Sequence, residues 1–285
     1  MANGLVHSGL LGGGVNSGDA LQHAMLALDR QRPQDAQRIA EELLKADPRH
    51  ARALHIFGCA LLMQGRAQDA IAPLETAARE LRHPETDTLL AMALRQAGRP
   101  EDALSRLKRA TKRQPPYAAA FQELGAVLSA FGRDDEAIEA FRRGLAIAPM
   151  MPELSVQLGY AFLRRRNFAD AKAAFVRALE ISPASTDALF GMAKAYQKVG
   201  DYEPAADYFR RYLLIRPQDV VIWLDLGHCL LELGQSDAGY ECFRTAAHRD
   251  PRRYGDALTQ LAASGRGRFW LKPSAAAQFM RGTKS

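Results

Sequence analysis

Cysteine is scarce: three occur in 285 residues, Cys59, Cys229 and Cys242. None stands at a C-x-x-C spacing from another, so a thiolate metal or redox site has no footing. A disulfide would need an oxidising compartment that nothing else in the sequence suggests, and small buried thiols are the expectation. Long hydrophobic runs are missing as well, since no stretch approaches the ~20 apolar residues of a membrane-crossing helix. The opening residues, MANGLVHSGLLGGGVNSGD, have no basic start, and glycines break their apolar stretch. That argues against a secretory signal and for a cytoplasmic location.

Catalytic motifs are equally absent. There is no HExxH pair, no nucleophile elbow and no phosphate-binding loop. The run GLLGGGVNSG is glycine-rich but carries no lysine, and no strand pattern precedes it. The seven histidines are scattered. No catalytic residue, metal ligand or cofactor is implied.

Charge is not lacking, but it is unevenly placed. From Pro251 to the end stand Arg252, Arg253, Arg266, Arg268, Lys272, Arg281 and Lys284 against Asp256 alone, which accounts for the whole net charge of +6. The rest of the chain is neutral, which argues against extended nucleic-acid binding, for which a basic stripe is the usual requirement.

What the sequence does have is a period. Pro115, Pro149, Pro183, Pro217 and Pro251 fall 34 residues apart. Gly98, Gly132, Gly200 and Gly234 keep the same phase, with Arg166 in the place of the missing glycine. A small residue recurs as Ala24, Gly58, Ala91, Gly125, Gly159, Ala193 and Gly227, and a second as Ala36, Ala70, Ala103, Ala137, Ala171, Ala205 and Gly239. Around them, apolar residues follow helical spacing, as in Phe121, Leu124, Gly125 and Leu128 and then Ala137, Phe141, Gly144 and Leu145. Helices this short are marginal alone and must bury their apolar faces against copies of themselves. The small residues allow close crossings, and large ones such as Phe141 fill the space beside them.

The pattern Trp223, Leu226, Gly227, Leu230, Gly239, Phe243, Ala246, Pro251 resembles the tetratricopeptide repeat, as does Leu189, Tyr196, Ala205, Phe209, Pro217. The resemblance implies an all-α, right-handed α-solenoid of antiparallel helical hairpins. On this reading residues 1–16 are a flexible glycine-rich arm. Seven repeats follow at 17–50, 51–83, 84–117, 118–151, 152–185, 186–219 and 220–253. A capping helix at 254–264 covers the last repeat, and a basic aromatic tail occupies 265–285. Repeat two is one residue short and holds Pro73 inside its second helix, where a bend is expected. Arg164, Arg165 and Arg166 end the first helix of repeat five, where cations suit the helix dipole.

In that family the first helices of successive hairpins line a concave groove. The corresponding positions are Arg52, His55, Cys59 and Leu62; Thr88, Met92 and Arg95; Gln122, Ala126 and Ser129. The later repeats add Val156, Tyr160 and Leu163; Phe190, Lys194 and Gln197; Leu224, His228 and Leu231. No asparagine and only scattered cations stand there, so a clamp for a terminal carboxylate is not expected. The groove is moderately apolar and suits an extended or helical segment with apolar anchors. The implied function is a non-enzymatic scaffold, adaptor or chaperone for another protein or peptide. The alternative is a targeting or regulatory subunit of an enzyme, secretion or assembly complex. The end repeats and the arm offer surfaces for self-association. In the tail, Arg266, Arg268, Phe269, Trp270 and Lys272 could contact an acidic partner or, as a further alternative, nucleic acid.

Overall fold

The computed structural model describes residues 17–250, together with Arg252, Gly255 and Thr259. The expected arm, capping helix and tail contacts at Arg266, Arg268, Phe269, Trp270 and Lys272 lie outside the described residues. Within them are fourteen α-helices and no strand. The chain divides into two compact units, one ending at Arg133 and the other starting at Asp134.

The first unit holds α1 (Ser17–Asp29), α2 (Pro33–Ala46), α3 (Ala51–Met63), α4 (Ala67–Leu81), α5 (Pro84–Gln96), α6 (Pro100–Ala110) and α7 (Ala118–Ala130). Each helix packs on the next, and the first helices α1, α3, α5 and α7 also pack on one another in sequence. The second unit holds α8 (Asp134–Ile147), α9 (Pro152–Arg164), α10 (Phe168–Ile181), α11 (Thr186–Val199), α12 (Tyr202–Ile215), α13 (Val220–Glu232) and α14 (Ser236–Arg249). Here too successive helices are neighbours, and α9 packs on α11. Both units are α-solenoid segments built of antiparallel hairpins. No described helix is long and apolar enough to cross a membrane.

The hairpin turns are copies of one structure. Gly65, Gly98, Gly132, Gly200 and Gly234 all have φ between +71° and +83°. The residue after each donates to a carbonyl five positions back, as in Arg66 N to Leu61 O at 2.9 Å and Gln235 N to Leu230 O at 2.9 Å. That 6→1 bond is the Schellman closure of a helix, which requires a left-handed residue. Arg166 adopts the same conformation without being glycine, with φ at +58°, and Asn167 N still reaches Phe162 O at 2.9 Å. An L side chain costs roughly 1 kcal/mol or more in this region. Arg166→Gly is therefore expected to stabilise the protein by about 1 kcal/mol, read as a raised urea midpoint.

The neighbouring arginines are engaged. Arg164 pairs with Asp134 at 2.7 Å and Arg165 with Asp135 at 2.9 Å, joining the end of α9 to the start of α8. α4 continues through Pro73 from Ala67 to Leu81. The proline removes the N–H that the Asp69 carbonyl would otherwise accept.

The core is laid down by the same period. Leu74, Leu107, Phe141, Phe175, Phe209 and Phe243, one from each second helix after α2, are all essentially inaccessible. Leu74, Phe175 and Phe243 fill space left by glycines of first helices. A Cβ placed on Gly58 would lie 2.4 Å from Leu74, and one on Gly159 would lie 2.6 Å from Phe175. The first helices are thus held by their small-residue side, which leaves another face of each for other work.

Candidate functional site

In the first unit, that face of α3, α5 and α7 is joined by polar contacts between successive first helices. His55 on α3 places Nδ1 3.0 Å from Thr86 Oγ1 and Nε2 3.9 Å from Glu85, both at the start of α5. Arg95, near the end of α5, donates to Glu123 of α7 at 3.2 Å. Glu85 is the electrostatic centre of this region. Burial pushes the His55 imidazole below its ordinary value, while Glu85 partly opposes the shift. Burial and then Glu85 push the Cys59 thiol and the Tyr117 phenol upward.

The second unit repeats the arrangement on α9, α11 and α13. Tyr160 of α9 donates its hydroxyl to the Asp187 carbonyl at 2.9 Å, and its ring stands edge-on to Phe175 at 5.2 Å. Burial pushes its phenol well above the ordinary range. Lys194 of α11 donates to Asp225 of α13 at 2.8 Å and to Gln197 at 3.1 Å. Its ammonium also lies 5.5 Å from the Phe190 ring and 5.8 Å from Phe209, so the cation is shared between a carboxylate and two π faces. Gln197 reaches Cys229 Sγ at 3.8 Å, and His228 stands edge-on to Tyr202.

Several of the positions named from sequence take part in these contacts. His55, Arg95, Tyr160, Lys194 and Gln197 act there as ties between successive first helices. Met92, Gln122, Ser129, Leu163, Phe190 and His228 are partly exposed, as are Leu62, Cys59 and Ala126, and Arg52 is exposed. Four of the named positions are not available to a ligand. Leu224 is 1% and Leu231 0% exposed, packed with Tyr240 and Phe243 of α14, and Val156 is 8% exposed. Thr88 is also buried, its hydroxyl spent on the Pro84 carbonyl at 2.7 Å. These belong to the hairpin interior.

Glu85, Asp225 and Asp187 were missed by sequence reasoning. Asp225 had a signal: it is the one charge within VVIWLDLG, where an acid is tolerated only with a partner. The thiols are poorly suited to nucleophilic work. Burial raises Cys229 to about 12 and Cys242 to about 11, the wrong direction for a thiolate. Among the described residues, no group of three metal-ligating side chains converges.

Comparison with known proteins gives one decisive result. The tetratricopeptide repeat model matches residues 21–82, 88–152 and 156–220, most of the chain. The chain belongs to the tetratricopeptide repeat (TPR) family. A second model, the middle TPR-like domain of cilia and flagella-associated protein 70, matches residues 189–269. Among solved TPR-like structures, the Cut9–Hcn1 hetero-tetramer of the APC/C is similar at TM-score 0.68 and 16% identity, covering 86% of this chain and 49% of that one. PilF of Pseudomonas aeruginosa is similar at TM-score 0.64 and 18% identity, covering 74% and 94%. A thermophilic TPR protein of Thermus thermophilus is 25% identical at TM-score 0.53, covering 64% and 99%. No curated protein matches the sequence at a significant level.

Proposed function

We propose that this TPR protein is a non-enzymatic scaffold that holds a segment of another polypeptide along the first-helix face of a unit. The observation that carries the reading is the division of labour on that face. Polar residues tie one first helix to the next, and apolar and amide side chains are left partly exposed between the ties. Such a surface is preformed, so a bound segment would order itself but not its receptor, which favours affinity. Phe190, Leu163 and Met92 offer apolar anchors, and Gln122 offers an amide group. The Cut9–Hcn1 relative is itself an assembly with another polypeptide, the class of partner proposed for this chain.

Tyr160 and Phe190 are poor choices for a test, because both also support the core. Met92→Glu and Leu163→Glu probe the two units separately from positions outside the described ties. Each is expected to reduce capture of a bound polypeptide about tenfold, since a carboxylate cannot be buried against an apolar anchor. Circular dichroism and the melting temperature should stay near wild type. Undiminished capture by both variants, folded as wild type, would remove the first-helix face from consideration.

A further inference from the structure

A groove of about 630 Å³ lies in the second unit, bounded by the second helices α8 and α10 with α9 between them. Leu145, Leu158, Phe162 and Ala174 make its floor, and all four are buried by their own neighbours. Arg142 and Arg177 stand at its mouth, both exposed. None of these residues belongs to the face described above.

Two features are unexplained by folding alone. Ser155 lines this groove and is 0% exposed, yet its hydroxyl oxygen has no hydrogen-bond partner among the described residues. A buried hydroxyl without a partner is costly, and native structures normally satisfy it. The second feature is charge. Arg142 lies over the Phe162 ring at 5.6 Å, and Arg177 donates to the Pro149 carbonyl at 3.1 Å. Among the described residues neither is in an ion pair, unlike Arg164 and Arg165 nearby. The acid in the lining, Asp170, already accepts from Asn167 at 2.7 Å.

We propose that this groove is a second binding site, which takes an acidic–apolar segment of a partner polypeptide. An apolar side chain rests on Leu145, Leu158 and Phe162. A neighbouring carboxylate sits between Arg142 and Arg177, and a polar group of the segment reaches the Ser155 hydroxyl, closed off in the free protein, by displacing the side chains that cover it. The chain's own ends are a poor match in charge. Residues 1–16 contain no acid, and the stretch from Pro251 onward has Asp256 against seven basic residues. The rim is open, with Ala146, Pro149 and Ala173 all exposed, so a free acyl chain would keep much of its surface in water. A polypeptide anchored on both sides of the buried residue does not share that defect.

The test uses the intact protein and two labelled hexapeptides, GDLFEG and GNLFQG, which match in shape and differ in charge. In fluorescence anisotropy GDLFEG is expected to bind about tenfold more tightly than GNLFQG. The preference should vanish in the Arg142→Gln/Arg177→Gln variant, which leaves the basic C-terminal stretch untouched. Ser155→Ala should weaken binding while raising the melting temperature, because it removes the unpartnered hydroxyl. Equal affinity for the two peptides, or a preference that survives the double glutamine variant, would overturn the assignment. Laurate binding at this groove in the absence of GDLFEG binding would overturn the choice of a polypeptide.

Discussion

Phe175→Ala is expected to destabilise the second unit by about 4 kcal/mol, the upper part of the range for emptying a buried aromatic site. The ring is fully buried and lies between two glycines of different hairpins. A Cβ on Gly159 of α9 would come within 2.6 Å of it, and one on Gly191 of α11 within 2.3 Å. Phe175 therefore joins its own hairpin to the next, and in a repeat array that interface is a large part of the stability. The same geometry makes Gly191→Ala destabilising by about 2 kcal/mol through overpacking, since Gly159 and Tyr160 block the ring's retreat. Combining Gly191→Ala with Phe175→Leu should cost less than the two single changes added together, because leucine vacates the space the new methyl needs. Urea unfolding of the four proteins measures this. A Gly191→Ala protein as stable as wild type would show that the ring can move, and the account of that crossing would be wrong.

Asp87→Ala is expected to cost about 2–3 kcal/mol, below the full penalty for breaking a buried ion pair. Asp87 lies in the first turn of α5, is 0% exposed, and is ringed by three arginines. Arg109 donates to it at 2.6 Å, Arg106 approaches to 3.7 Å, and Arg113 makes a further close ion pair. Losing the carboxylate leaves three cations facing one another around a void. The discount reflects their partial exposure, since Arg109 is half in solvent and can turn to water. Asp102→Ala is the control: its pair with Arg99 is a solvent-exposed contact at the start of α6 and should change stability by less than about 0.5 kcal/mol. Thermal and urea unfolding at neutral pH compare the two. If both alanine variants behaved alike, the buried carboxylate would hold nothing together.

Where reading the chain fell short, the reason is visible at particular residues. Leu231 occupies a position shared with Leu163, yet Leu163 is partly exposed and Leu231 is not. The difference lies across the hairpin. α14 has Gly239 where α10 has Ala171, and a Cβ on Gly239 would meet Leu231 at 2.9 Å. The leucine turned inward because its neighbour left room. Helical spacing gives the angle of a side chain about its own axis, but burial depends on what the facing helix presents.

Periodicity along the chain specifies the hairpins. Its period set the helix lengths, the left-handed turns, the small residues at the crossings and the large apolar residue that fills each one. These are local demands of backbone geometry and packing volume, and they read directly even where Arg166 replaces a glycine. Contacts across the fold settle which polar residues tie neighbouring first helices, which candidate leucines are core, and that Ser155 is buried in the groove that Arg142 and Arg177 also line. Those facts depend on side chains distant in sequence meeting in space, and a repeat constrains where such residues lie but not what they find opposite them.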